Sequence, residues 1–430
     1  MEYLLAGGHV LTLDADMATM KRRDVHIRGG KIVTIAETIA VQGAERIDVS
    51  GMLLSPGLVD THWHMWNSLA RGFSMSRLGP FAKTMAALAK AWTPEASALS
   101  VKLAMAEAVQ SGITTVNNWA HNTKGQEFAA AELAAMQESG VRGRFSYGYP
   151  QALKPGDRMD FSTLERFQAS NFQASRKGLI HLGLCTRGPD RTEPSIWQEE
   201  WSFARDHKIP ITTHIASDRA AGAMGNIAKM AAAGHLGPDV QLVHATHASE
   251  QDFKLIAEAG SPLSISPWSE LEVGYGIPPV AAIAAAGVKL GLSVDNMVLA
   301  GNADMFAVMK LTADIAVGQA EKQGQAGDAI VLNWATATGA ETLGLGGTTG
   351  TLAPGKRADV IAIRMDALNT VASMSPAFLM THAAQPGNVD LVMIDGVVHK
   401  RHGKLTRIDA DELTAQADAM MADLRRVARL

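Results

Sequence analysis

Pro56-Gly-Leu-Val-Asp-Thr-His62-Trp-His64-Met-Trp-Asn-Ser68 places two histidines two residues apart at the end of an apolar run. Alternate residues of a strand point to one face, so both imidazoles can reach the same ion. His214, His244 and Asp295 each end another short run, and none of these runs adjoins the first in sequence. Five such residues at four strand ends suggest a metal site assembled by the fold.

Working outward, eight strand-like runs alternate with longer Ala-rich helical stretches: 58–62, 114–119, 144–149, 180–186, 211–214, 241–244, 263–266 and 289–294. This is the pattern of βα units around a parallel sheet. Eight units predict an α/β fold built on a (β/α)8 TIM-like barrel, whose active site forms at the C-terminal ends of the strands. Every candidate residue above sits at or just beyond such an end. Residues 1–56 are different, with short β-rich segments separated by turn residues and a hairpin signal at Gly29-Gly30. The same texture returns at Asp359-Val-Ile-Ala-Ile363 and at 389–398, with a tight turn at Asp395-Gly396. Residues 1–56 and 350–405 are therefore expected to form one small β domain, 57–349 the barrel, and 406–430 an amphipathic C-terminal helix.

The remaining composition narrows the function classes. A chain of 430 residues with 47% apolar content can fill both cores. A net charge of −4 without a basic cluster argues against a nucleic-acid partner. The single cysteine, Cys185, rules out an internal disulfide framework and fits a reducing compartment. The N-terminus has no signal-peptide pattern, and no apolar run reaches the ~18 residues of a membrane span. A cytoplasmic protein acting on a small molecule, without a membrane partner, is expected. Gly344-Leu-Gly-Gly-Thr-Thr-Gly350 lacks the Gly-Lys-Ser/Thr ending of a phosphate loop and reads as a linker.

The ordered set Ser55-Pro-Gly-Leu-Val-Asp-Thr-His62-Trp-His64, Ser111-Gly-Ile-Thr-Thr-Val116, Ile211-Thr-Thr-His214, Leu242-Val-His244, Gly291-Leu-Ser-Val-Asp295 and Leu352-Ala-Pro-Gly-Lys-Arg-Ala-Asp359 resembles the amidohydrolase superfamily over nearly the whole chain. The resemblance is to the branch of S-adenosylhomocysteine, cytosine and guanine deaminases and atrazine chlorohydrolase-like enzymes. It implies that the terminal β domain is a β-sandwich and that the chain forms a homo-oligomer. Binuclear relatives carry a carboxylated lysine at the end of the fourth strand. Here that region is His181-Leu-Gly-Leu-Cys185-Thr-Arg187, so a single ion is expected.

Zinc, and also Fe2+ or Mn2+, suits a site of His62, His64, His214 and Asp295, and water on such an ion ionises near neutral pH. By resemblance Asp295 is also the proton shuttle, work that contributes about 10² to 10⁴ in rate. By the same resemblance His244 is the histidine that polarises the attacked group or orients water. The chain departs from its deaminase relatives at Ser217, three residues after His214, where they have a glutamate that protonates a ring nitrogen. Glu270 is the first candidate for a replacement acid and Asp218 the second. Trp66, Trp119, His121 and Trp268 follow barrel strands and could stack a flat substrate. Phe73, Met75, Met224 and Tyr275 are weaker wall candidates, Arg187 could bind a carboxylate, His247 faces solvent or a helix end, and His181 and Cys185 read as structural. The expected function is metal-dependent hydrolysis of a C–N bond in a small cyclic molecule. Deamination of a heterocycle and a catalytically silent binding barrel are the alternatives.

Overall fold

The computed structural model describes residues 1–13, 21–172 and 178–430. Eight parallel strands follow one another in sequence order: β1 (Leu58–Trp63), β2 (Ile113–Ala120), β3 (Arg142–Tyr147), β4 (Ile180–Thr186), β5 (Ile211–Ile215), β6 (Val240–His244), β7 (Leu263–Ile265) and β8 (Leu290–Leu292). Their apolar side chains, such as Val116, Phe145, Leu184 and Leu242, pack against the surrounding helices in one continuous core.

β8 and β1 do not share a regular ladder, and the barrel is closed by specific contacts instead. The backbone N–H of Asp295 donates to the His62 carbonyl at 3.1 Å, and the N–H of His64 donates to the Asp295 carbonyl at 2.6 Å. Just below, the buried Asp60 carboxylate accepts from Val294 N at 2.9 Å and from His62 N at 3.1 Å. Gly291 permits this approach, because a Cβ there would stand 2.5 Å from Thr61 Cγ2. Beneath the seam the barrel interior is polar. Asn117 donates to the Thr61 carbonyl at 3.0 Å and accepts from Ser146 Oγ at 2.7 Å, while Thr61 meets Ser264 at 2.7 Å. A satisfied buried network of this kind fixes one arrangement of the strands above it.

Among the described residues, nine strands from both termini form the small domain, all hydrogen-bonded into one continuous sheet. Its halves share a core of Leu5, Val25, Ile27, Leu54, Val360 and Met393. Between Arg364 and Val389 the chain leaves this sheet, and the π-helical turn Leu379–Ala383 packs on the helix Met305–Ala320. The final helix, Ala410–Ala428, is capped by Asp409 and contributes Leu413 and Leu424 to a cluster containing Trp66, Leu69 and Trp92. It thereby supports the segment that follows β1.

Sheet and barrel are joined through Arg142 at the start of β3. Its guanidinium donates to both oxygens of Asp359, at 2.6 and 3.1 Å, and to Asp395 at 2.7 Å. Arg142 and Asp359 are both buried. Removing one partner leaves an uncompensated buried charge, so Arg142→Met should lower the unfolding free energy by about 3–5 kcal/mol. Chemical denaturation will measure it, and Arg142→Met combined with Asp359→Asn should recover part of the loss.

Candidate active site

All four histidines and Asp295 converge at the C-terminal end of the barrel. His62 Nε2 and His64 Nε2 lie 3.2 and 3.3 Å from the same oxygen, Oδ1 of Asp295. The ligand atoms of His62, His64 and Asp295 form one compact group, those of His62, His214 and His244 another, each within 4.8 Å, with His62 shared. His214 and His244 are stacked at 5.1 Å between ring centroids. His244 and Asp295 adopt left-handed backbone conformations, φ 73° and 64°, as the strands turn into their loops. Non-glycine residues in that region store strain and concentrate at functional sites.

Two observations fit these residues to a metal ion. His62 Nε2 and Asp295 Oδ1 are buried and have no hydrogen-bond partner, although unsatisfied buried polar atoms are costly. The imidazoles are also held neutral, the form that binds metal. Burial pushes His64 and His214 well below the usual histidine range, and His62 below it as well. For Asp295, burial raises the carboxyl, but the close approach of His62 outweighs it and leaves Asp295 below its ordinary range.

The neighbouring groups define which ring nitrogens are free. His121 Nδ1 receives the Trp66 indole N–H at 3.1 Å and must therefore be an acceptor. His64 Nδ1 lies 3.0 Å from the same atom, so it is the protonated nitrogen and its Nε2 is left as a lone pair beside Asp295. Burial pushes His121 itself down to about 3, which keeps it a neutral acceptor. In the same way His244 Nδ1 lies 3.0 Å from Glu270 Oε1, leaving Nε2 as the free nitrogen.

The cleft above has a volume of about 470 Å³ and is lined by Trp66, His121, Tyr149, Arg191, Tyr275 and Asn296 together with His64, His214, His244 and Asp295. Several residues expected to face it lie elsewhere. Trp119 is buried beneath the histidines, with its ring 4.1 Å from that of His214. Trp268 is 43% exposed on the short helix Pro267–Glu272 and is not part of the lining, because that helix turns its indole outward. Ser217 is buried outside the lining, and Asp218 caps the helix Arg219–Ala223 through Ala221 N at 2.9 Å. Glu270 is fully buried against His244, outside the cleft lining, and also accepts from Ser266 N at 2.9 Å. Arg187 lines the cleft, but it donates to the carbonyls of Leu153, Lys154 and Asp157, which holds that loop in place. His247 contacts the Tyr275 carbonyl at 2.6 Å. His181 lies at the far end of the barrel and Cys185 is buried next to Trp119, neither of them in the cleft.

Sequence reasoning missed three roles. Asp60 was visible between the quoted proline and histidines, and its burial in an apolar run was the available signal. Arg191, which lines the cleft with Tyr275, has no distinguishing pattern in its loop. The action of His121 on His64 depends on a meeting across 57 residues.

Residues 53–398 match the amidohydrolase family. A 5-methylthioadenosine/S-adenosylhomocysteine deaminase of Syntrophobacter fumaroxidans is 28% identical over 451 residues, spanning 100% of this chain and 98% of that one. An 8-oxoguanine deaminase of Pseudomonas aeruginosa is 26% identical, with 93% and 94% covered. Among solved structures, an adenosine deaminase from Xanthomonas campestris with bound zinc superimposes with a TM-score of 0.89 at 23% identity, covering 99% of this chain and 98% of that one. The chain belongs to the amidohydrolase family. It is a metal-dependent hydrolase of carbon–nitrogen bonds.

If His121 sets the tautomer of His64, then His121→Phe should weaken metal binding about 10–100-fold. Competition with a chromogenic chelator will measure it, and unchanged affinity would remove His121 from this role.

Proposed function

We propose that the protein holds one zinc ion on His62, His64, His214 and Asp295 and hydrolyses a C–N bond of amide type in a flat, cyclic small molecule. When bound, the ion supplies an ionisable water and polarises the attacked group. Asp295 removes the proton from the attacking water and delivers it to the departing nitrogen, using the oxygen that has no other hydrogen-bond partner. His244, its Nδ1 held by Glu270, presents Nε2 to the attacked group and the water beside it, and so orients them for the reaction. Trp66, Tyr149 and Tyr275 line the cleft and offer aromatic faces to a planar ligand.

One observation carries the choice of bond. Among the described residues lining the cleft, Asp295 is the sole carboxylate, whereas Arg187 and Arg191 both reach it. An acid able to protonate a ring nitrogen away from the scissile bond is missing, with Ser217, Asp218 and Glu270 engaged elsewhere. Proton delivery at the scissile bond itself needs Asp295 alone. Arg191 further favours a substrate with an anionic or electron-rich edge, whereas Arg187 is held by loop carbonyls and Glu200. Deamination is the second reading, favoured by the names of the relatives at 26–28% identity. It would require a heterocycle that accepts attack without prior ring protonation.

Elemental analysis of active protein should give one ion per chain; two tightly bound ions, or none, would contradict the proposed site. A screen of cyclic amides, amidines and aminated heterocycles then separates the two readings, since ammonia released from an intact ring marks deamination. On the substrate so identified, Asp295→Asn should retain the fold and reduce kcat by about 10² to 10⁴. Ser217→Ala should cost at most about 1–2 kcal/mol in kcat/KM. A much larger loss would give the serine a direct part in the chemistry.

A further inference from the structure

At the end of the barrel opposite the histidines, β3 carries two arginines two residues apart in contrasting surroundings. Arg142 is matched by two carboxylates. Arg144, only 6% exposed, makes one hydrogen bond, from Nη2 to the Leu343 carbonyl at 2.5 Å, and has no ion pair among the described residues. A guanidinium has five N–H donors, and burying it without a counter-charge is costly. Burial lowers it to about 10, with no carboxylate acting against the shift.

The space around Arg144 is built to leave it accessible from one side. Gly183 on β4 gives it room, since a Cβ there would stand 2.6 Å from Arg144 Cδ. The side chain lines a cavity of about 860 Å³, larger than the catalytic cleft. His181, its register partner on β4, and Lys208 line the same cavity, as do the apolar Phe172, Ile209 and Leu345. The glycine-rich run that follows Leu343 borders this cavity through Gly344, Leu345 and Thr348.

We propose that this cavity binds a small organic anion, with its carboxylate or phosphate on Arg144 and Lys208 and its apolar body against Phe172, Ile209 and Leu345. A planar guanidinium matches either anion through paired hydrogen bonds, and a lining with Arg144 and Lys208 but no carboxylate among the described residues disfavours a cation.

Calorimetric titration of the metal-loaded full-length protein with phenyl phosphate, benzoate and phenol tests this. At least one anion should bind while phenol does not, and the anion that binds identifies the headgroup. Arg144→Met should weaken that binding by about tenfold or more, and Lys208→Gln by a few-fold, both with unchanged metal content. Because Arg144 also holds Leu343, Lys208→Gln at an exposed position keeps the test decisive if Arg144→Met fails to fold. Full binding in Lys208→Gln and in any folded Arg144→Met protein would place the anion at the catalytic cleft and overturn the proposal. Equal binding of phenol, or no heat from either anion up to about 10 mM, would overturn it as well.

Discussion

Closure between the first and last barrel strands is the contact on which the site depends. The backbone bonds that join β8 to β1 are made by His62, His64 and Asp295 themselves, while Asp60 clamps both strands from below. Ligand geometry and barrel closure are therefore one property. A shift of a single residue along this seam would turn His62 and His64 away from Asp295. The polar layer of Thr61, Asn117, Ser146 and Ser264 opposes such a shift, because moving any strand would strand a buried donor or acceptor.

Around that seam the electrostatics are arranged in two shells with opposite tasks. The imidazoles of His62, His64 and His214 are dry and held neutral beside an ionised Asp295, which suits ligation. The groups behind them, His121 and Glu270, fix which nitrogen carries the proton. Farther out the cleft has cationic arginines and aromatic rings rather than a second carboxylate. A site of this kind divides labour between one proton carrier and a binding wall.

Most of the barrel was legible in sequence because parallel strands buried on both faces read as short apolar runs, and ligands at their ends mark where those runs stop. The run 263–266 and its observed counterpart Leu263–Ile265 agree to within a residue. The ligand candidates were legible for the same reason, as each has a fixed position relative to a strand. What escaped depended on loop geometry. Trp119 and Trp268 both follow strands, yet one lies under the histidines and the other points outward, because one ends a strand and the other sits on a helix beyond it. Glu270 read equally well as an exposed acid, and only its fold-back onto His244 shows otherwise. In the small domain, alternating strands at both termini revealed the partnership but not that all nine belong to one sheet.

The seam also governs the order in which the molecule can be made. Asp60 and Val294 are separated by 234 positions, so their contact closes one of the longest loops in the chain. Such loops close late, after local βα units have already formed. During synthesis His62 and His64 emerge well before Asp295, and they remain an incomplete pair until the eighth strand docks. The full ligand set therefore comes into being only when the last barrel strand is in place, so a metal ion arriving earlier would meet the histidines without their carboxylate.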